Sequence, residues 1–306
     1  MARADPQPAP ERLDRTGLLQ GLGAYGIWGL LPLFFWLLHG VDSGEVVAMR
    51  VLWSVVLLGV LIVALRRVPQ FLAAIRSRRA MTYLGISAAL ISINWLVYVW
   101  AVQHNHVLEA SLGYFLNPLV NVLLGVVLLR ERLGAAQIAA VALAAIGVAV
   151  LAVGAGTGIW ISLALAFSFG FYGLVRKIAP VESLEGLTIE TAILTPIAAG
   201  YLFWLSGHAG LGFGQTPLWT VVLAISGVVT ATPLLLFAAA ARRLPYSTLG
   251  LLQYLAPTMQ FLLAISFFGE HMTSAHAVCF ALIWSGLAIY AVSGIVTARQ
   301  QRRATA

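Results

Sequence analysis

The sequence predicts an all-α integral membrane protein of about ten transmembrane helices, built as two inverted five-helix repeats. The first observation is composition: 60% of the 306 residues are hydrophobic and only 9% are charged. A soluble domain carries roughly 25% charged residues, because its surface has to be hydrated. The composition therefore indicates that lipid surrounds most of the chain.

Long apolar runs are the second observation. They are uninterrupted rather than alternating, which favours helices over barrel strands, and each is long enough for a hydrocarbon core about 30 Å thick. The first run is too long for the core of a signal peptide, so it is predicted to be a retained helix. The predicted spans are 17–38, 46–65, 80–102, 107–129, 134–153, 158–175, 187–206, 218–241, 246–268 and 272–297, between polar tails at 1–16 and 298–306.

The basic residues predict the orientation of these spans. If both termini are cytoplasmic, 17 of the 18 Arg and Lys residues fall on the cytoplasmic side, and the exception, Arg50, lies within the second span. Such an excess is typical of cytoplasmic segments. All six histidines fall on the outer side. They share no ligand spacing, so hydrated surface is favoured over a periplasmic zinc site.

An internal repeat is the third observation. A shift of 139 residues places Pro118 on Pro257 and Glu131 on Glu270. Each half then holds five spans, an odd number, so the halves enter the membrane with opposite topology. Inverted repeats with a binding site between them are a recurrent plan of secondary transporters. Duplication for structural reasons alone is the alternative. The predicted repeats are residues 17–153 and 158–297.

Charged side chains within spans are costly in lipid, so they usually face the interior of a helix bundle. We predict that Arg50 pairs with Glu109 near the outer end, and that Glu190 pairs with Arg176 or Arg242 near the inner end. These pairs are either gate or proton-linked sites, or static salt bridges near the interfaces.

A substrate cavity is predicted from polar and aromatic residues in the middle of the spans. Pro118 and Pro257 are expected to kink their helices and to free the carbonyl groups of Tyr114 and Gln253. Packing and hydrogen bonding between helices are the alternative role for these residues. The predicted cavity residues are Trp28, Trp53, Asn94, Trp95, Tyr98, Gly113, Tyr114, Asn117, Asn121, Gln253, Tyr254 and Gln260.

Several function classes are disfavoured. The basic residues lie in short groups between apolar runs, so no nucleic-acid-binding domain is expected. The glycines lack phosphate-loop context and the chain has no room for an ATPase domain, so a proton or other ion gradient, or exchange, would drive transport. A channel would need a continuous polar lining, and an enzyme would need clustered His and carboxylates. No cofactor or metal is expected, and the oligomeric state is left open.

The fourth span, Leu108–Gly125 (LEASLGYFLNPLVNVLLG), resembles the signature of RarD-type proteins in the EamA branch of the drug/metabolite transporter superfamily. The resemblance implies a bacterial inner-membrane protein with two EamA repeats that transports a small organic metabolite or drug, as an exporter. An importer or facilitator is the alternative. Further matching segments are Ala24–Gly29, Ile93–Val102, Phe167–Lys177, Ile189–Thr191, Ser247–Thr258 and Phe267–Glu270.

Overall fold

The computed structural model describes residues 14–129, 134–154, 158–241, 243–244 and 252–304. These residues form eleven helices and contain no strand. The helices are α1 (Arg15–Trp36), α2 (Ser43–Ala64), α3 (Val68–Arg76), α4 (Arg78–Gln103), α5 (Val107–Leu129), α6 (Ala135–Gly154), α7 (Ile159–Ile178), α8 (Ser183–His208), α9 (Pro217–Ala241), α10 (Leu255–Ser266) and α11 (Ser274–Ala304).

The helices confirm the predicted all-α membrane class. Within the described ranges, six of them, α1, α2, α4, α7, α8 and α9, contain stretches long and apolar enough to cross a bilayer. Shorter apolar stretches are present in α6, α10 and α11. The total of ten spans stays a prediction. The short helix α3, between α2 and α4, was not predicted, because its nine residues are too few to span a membrane.

Polar side chains define where several helices begin. The Asp14 carboxylate accepts hydrogen bonds from the N–H groups of Thr16 and Gly17 at the start of α1. The Asp42 side chain accepts the N–H of Glu45 in α2, and a serine hydroxyl caps α4 in the same way. These caps satisfy N–H groups that have no partner within the helix.

The outward-facing surface is apolar. Val153, Phe203 and Leu19 are 91%, 83% and 70% exposed. A soluble protein rarely exposes an extended apolar surface, whereas lipid solvates one without cost.

The packing of the helices has an internal symmetry. Helix α2 packs on α8, α6 on α11 and α5 on α10. Three further contacts each have a counterpart in the other half. The α1–α9 contact corresponds to the α7–α4 contact, the α5–α7 contact to the α10–α1 contact, and the α2–α9 contact to the α8–α4 contact. This set of contacts is unchanged when α1, α2, α4, α5 and α6 are exchanged with α7, α8, α9, α10 and α11, respectively.

Glycine permits the closest of these helix contacts. A Cβ atom built on Gly227 of α9 would lie 2.4 Å from the carbonyl carbon of Trp53 in α2. A Cβ atom on Gly113 of α5 would lie 2.9 Å from the carbonyl oxygen of Ser162 in α7. Both neighbours are backbone atoms, so neither contact can be relieved by rotating a side chain.

Substitution of Gly227 by Ala should therefore destabilise the protein by about 1–3 kcal/mol, the usual cost of overpacking. The measurement is thermal unfolding of the detergent-solubilised protein. The control is Gly200→Ala in α8, where a new Cβ meets nothing within 4 Å. Alanine is a better helix former than glycine, so this control should leave Tm unchanged or raise it. Equal Tm values for the two variants would contradict the close approach of α2 and α9.

Candidate functional site

A cavity of about 1020 Å³ lies between the helices, lined by residues of α1, α2, α4, α5, α7, α8, α9 and α10 and of the segments that join them. Its volume suits a small organic molecule. Its lining includes eight of the predicted cavity residues: Trp28, Asn94, Trp95, Tyr98, Tyr114, Asn117, Gln253 and Gln260.

Aromatic rings form much of the cavity wall. The ring centre of Trp28 lies 5.3 Å from that of Tyr25 and 5.9 Å from that of Phe237. The contact between Trp28 and Phe237 joins α1 to α9. Tyr98 and Tyr114 pair at 5.5 Å across α4 and α5. Edge-to-face and tilted arrangements of this kind hold the rings in place and leave apolar faces for a ligand.

Asn94 holds the wall together. Its Nδ2 donates to the carbonyl oxygen of Leu165 at 3.1 Å and to the Ser168 hydroxyl at 3.0 Å, both on α7. Its Oδ1 accepts the Tyr114 hydroxyl at 3.3 Å. Asn94 is 1% exposed, so these bonds fix α4 against α7 and α5.

Other polar atoms in the lining have no protein partner among the described residues. They include Asn117 Oδ1, Gln260 Oε1 and the Tyr98 hydroxyl, and these three atoms are buried. Gln260 Nε2 is already used, since it donates to the Trp28 carbonyl oxygen at 3.0 Å. Buried polar atoms are rarely left unpaired, so a ligand or a water molecule is the expected partner of these atoms.

Arg50 projects from α2 into the cavity and is 4% exposed. Its Nε donates to the Thr230 hydroxyl at 3.1 Å. The guanidinium carbon lies 5.0 Å from the ring centre of Phe35 and 4.7 Å from that of Trp95. Within the described part of the chain, its Nη1 has no hydrogen-bond partner.

The predicted pairing of Arg50 with Glu109 is wrong. Glu109 lies at the start of α5, where its Oε2 is 3.5 Å from His106 Nδ1, and it contacts Gly158 rather than the cavity. The pairing was predicted from depth, which does not determine which way each side chain points around its helix.

The predicted pairing of Glu190 with Arg176 is present. Arg176 Nη1 lies 3.5 Å from Glu190 Oε1, within ion-pair distance but outside hydrogen-bonding geometry. The Ser87 hydroxyl donates to Oε1 at 2.5 Å and the Tyr172 hydroxyl to Oε2 at 3.4 Å. Glu190 therefore has three polar neighbours on two helices, α4 and α7. The other proposed partner, Arg242, lies outside the described residues.

Three further predictions about the cavity need correction. Trp53 is 37% exposed and outside the lining, because its backbone packs on Gly227 of α9. Gly113 faces α7, and Tyr254 occupies the N-cap position of α10 rather than the lining.

The two predicted proline kinks have different outcomes. Pro257 lines the cavity but lies in the first turn of α10, where proline breaks no helical hydrogen bond, so it does not kink a helix centre. The side chains of Pro118 and Asn121 lie outside the described residues.

The cavity reaches the end of the molecule where α2 ends and α8 begins, which we call the basic end. Arg67, Glu182 and Arg243 contribute to the lining there. Arg67 Nε is 2.6 Å from Glu185 and its Nη2 is 2.5 Å from Glu182. The hydrogen bonds that Arg67 donates to these carboxylates raise its pKa above the ordinary value.

The opposite end of the molecule is fastened by a carboxylate on α2. Glu45, 1% exposed, accepts the N–H groups of Gly212 and Phe213 in the α8–α9 loop, both at 2.8 Å. Gln103 at the end of α4 donates to the carbonyl oxygens of Leu38 and Val41 at 3.1 and 3.0 Å. None of these residues lines the cavity.

A second carboxylate fastens the same end. Glu270, in the loop between α10 and α11, accepts the N–H groups of Val107 and Leu108 at 2.6 and 2.7 Å. These N–H groups lie at the start of α5 and have no acceptor within the helix. The helix dipole also favours a negative charge at that point.

The sequence analysis did not identify Glu45 and Glu185 as functional candidates, although the internal repeat places them at equivalent positions. A shift of 140 residues places Asp42, Ser43 and Glu45 on Glu182, Ser183 and Glu185. Each glutamate lies in the first turn of its helix, and each binds the segment that follows the partner helix, α8 or α2.

Comparison with known proteins identifies the class of protein. The model of the EamA-like transporter family matches residues 15–153. An uncharacterised transporter of Pseudomonas aeruginosa is 47% identical, and the alignment covers 90% of this chain and 93% of the relative. The RarD protein of Escherichia coli is 45% identical, with 94% and 97% of the two chains covered.

A solved crystal structure shares the fold, with a TM-score of 0.58 and 23% identity over 90% of this chain and 96% of its own. The chain therefore belongs to the EamA-like transporter family of the drug/metabolite transporter superfamily. Within that family it is a RarD-type protein, which confirms the resemblance found in the fourth span.

Glu270 predicts a pH dependence of stability. Burial, with a smaller contribution from the neighbouring Glu109, raises the pKa of Glu270 to about 7, although the N–H groups of Leu108 and Val107 oppose the shift. The folded protein then binds more protons than the unfolded chain between about pH 4.5 and 7, so stability falls as the pH rises through that window.

Thermal unfolding from pH 4.5 to 8 tests this prediction. The Glu270→Gln variant should lose part of the decrease in Tm that the wild type shows across the window. Glu182→Gln at the basic end removes an exposed carboxylate and should keep the wild-type slope. If the slopes of Glu270→Gln and wild type are parallel, Glu270 does not titrate in this range.

Proposed function

We propose that this protein is a secondary transporter that carries a small organic metabolite or drug through the central cavity by alternating access. The observation that carries the proposal is the cavity itself, about 1020 Å³ in volume, which reaches the basic end and is separated from the opposite end by the Glu45, Gln103 and Glu270 contacts. A cavity that reaches one end only is the arrangement expected for one state of a carrier.

The repeat organisation supports a second state. The most extensive helix contacts are preserved when the two halves are exchanged. If the halves are inverted repeats, as the five-span count predicts, the same exchange generates an arrangement open at the opposite end. In that arrangement the Glu45 contact with the segment after α8 would be released.

The charge distribution supports a cytoplasmic basic end and therefore cytoplasmic termini in a bacterial inner membrane. Arg67, Arg176 and Arg243 lie at or near that end, and the sequence places no Arg or Lys in the segments 37–42, 104–106 and 267–273. The excess of basic residues follows the rule for cytoplasmic segments. A cavity that loads from the cytoplasm fits export, driven by an ion gradient or by exchange.

Proteoliposomes test transport directly. A panel of amino acids, aromatic metabolites and amphiphilic drugs would be followed under an imposed pH gradient and under exchange conditions. Saturable movement of at least one compound, with accumulation or counterflow, is expected of a carrier. Movement that does not saturate would indicate a channel, and conversion of a compound would indicate an enzyme.

Two asparagine variants separate binding from folding in that assay. Asn117→Leu removes an oxygen that has no described protein partner, so transport should fall at least about tenfold while Tm changes little. Asn94→Leu leaves the Leu165 carbonyl oxygen and the Ser168 hydroxyl on α7 without their hydrogen-bond donor. This change should lower the stability by about 1–3 kcal/mol. Unchanged transport by a folded Asn117→Leu variant would contradict the position of the site.

The Glu45 contact predicts a change in side-specific accessibility. The chain has one cysteine, Cys279, so Cys279→Ser provides a cysteine-free background. In that background Leu31→Cys places a reporter in the cavity wall. Labelling with a membrane-impermeant thiol reagent from each side of the membrane measures which end is open.

Glu45→Gln should increase reporter labelling from the side opposite the basic end by at least about tenfold. The amide has one acceptor oxygen for two N–H groups, and hydrogen bonds to a charged group contribute about 1.5–3 kcal/mol. Glu185→Gln, the matched change at the basic end, should not increase labelling from that side. Identical behaviour of the two variants would show that Glu45 does not hold the end closed.

A further inference from the structure

We infer that Arg50 is a substrate-binding residue that selects organic carboxylates, with the carboxylate bound by the free edge of its guanidinium group. This inference rests on the proposed transport function, because it names the substrate class of the same cavity. It is carried by three observations: the burial of Arg50, its unpaired donor and the way in which the other basic residues of the cavity are neutralised.

Arg50 holds its positive charge in the cavity without a carboxylate partner among the described residues. An arginine side chain is always protonated in proteins, so the charge persists despite 4% exposure. Removing an unpaired charge from water is costly, and it is usually offset by an opposite charge. The faces of Phe35 and Trp95 offset part of that cost through cation–π contact.

Those rings leave the hydrogen-bonding requirement of the guanidinium unmet. Its N–H groups lie in the guanidinium plane and point outward from its edge, and the Phe35 and Trp95 side chains have no oxygen or nitrogen acceptor for them. Thr230 accepts from Nε. Nη1 is buried without a described partner, and Arg50 lines the cavity. Two parallel N–H donors in one plane match the two oxygens of a carboxylate.

The other described arginines of the lining already have anionic partners. Arg176 lies beside Glu190, Arg67 binds Glu182 and Glu185, and Arg243 Nη1 is 3.2 Å from Asp14. Arg50 therefore differs from them, since it holds a positive charge that no described carboxylate neutralises. An anionic ligand would be the missing partner.

The surroundings of Arg50 determine the rest of the ligand. Trp95, Tyr98 and Tyr114 line the cavity beside it, and they present apolar ring surface. A compact carboxylate with an aromatic or aliphatic body would place its charge on Arg50 and its body against these rings. A cation of the same shape would be repelled.

Three probes of one shape test this inference: 3-phenylpropanoate, 3-phenylpropanamide and 3-phenylpropylamine. Their binding to the purified, detergent-solubilised full chain is measured by calorimetry. The wild type should bind the carboxylate at least tenfold more tightly than the amide, and the amine most weakly. Wild-type protein that binds the amide as well as the carboxylate, prefers the amine, or binds no carboxylate at millimolar concentration would overturn the proposal without any variant.

Variants then assign the preference to Arg50. Arg50→Gln should bind the carboxylate and the amide equally, and Arg50→Lys should retain part of the preference because it keeps the charge without the planar pair of donors. Arg79→Gln removes a positive charge outside the cavity lining and should keep the full preference. If a folded Arg50→Gln variant keeps the preference, the assignment to Arg50 is wrong.

Thr230→Val provides a milder change if Arg50→Gln does not fold. It removes the acceptor that orients Nε, so the carboxylate preference should weaken while the amide affinity stays constant. An unchanged preference would contradict this positioning role. Because these measurements need no transport, carboxylate binding without movement in proteoliposomes would refute the transporter function and leave the Arg50 site intact.

Discussion

Water is absent from the hydrocarbon core of a membrane, so a polar atom there must find a partner inside the protein or in a hydrated cavity. Much of the architecture follows from this constraint. Asn94 binds α7, Ser87 binds Glu190, and Glu45 binds two loop N–H groups. Each of these contacts joins two elements that are distant in sequence, so the demand for hydrogen bonds also fixes how the helices are assembled.

The same constraint makes the unpaired atoms informative. Arg50 and Glu190 are separated by the 140-residue shift that also superposes Glu45 on Glu185. The two equivalent positions carry opposite charges, and only the glutamate has a described ionic partner. Arg50 lines the cavity whereas Glu190 does not, so the two repeats contribute chemically different groups to its wall.

Sequence predicted the features that depend on local properties. Helices follow from continuous apolar runs, and the cavity residues Asn117 and Gln260 could be found because a polar side chain in such a run is conspicuous. The Arg50–Glu109 pairing failed because depth can be counted along a helix, whereas the direction of a side chain depends on how helices pack. The Glu45 contact was missed because its partners are backbone N–H groups, which every residue except proline has.

The fastenings at the starts of α2 and α8 have a consequence for how such a protein evolves. Two residues at equivalent positions of the predicted repeats fasten opposite ends of the molecule, Glu45 through backbone donors and Glu185 through Arg67. In the alternating-access cycle proposed above, the Glu45 contact would favour the state that is open at the basic end. In such a cycle, a lineage could change the side on which the protein waits for its cargo by altering one helix terminus, while every residue that contacts the cargo is inherited unchanged.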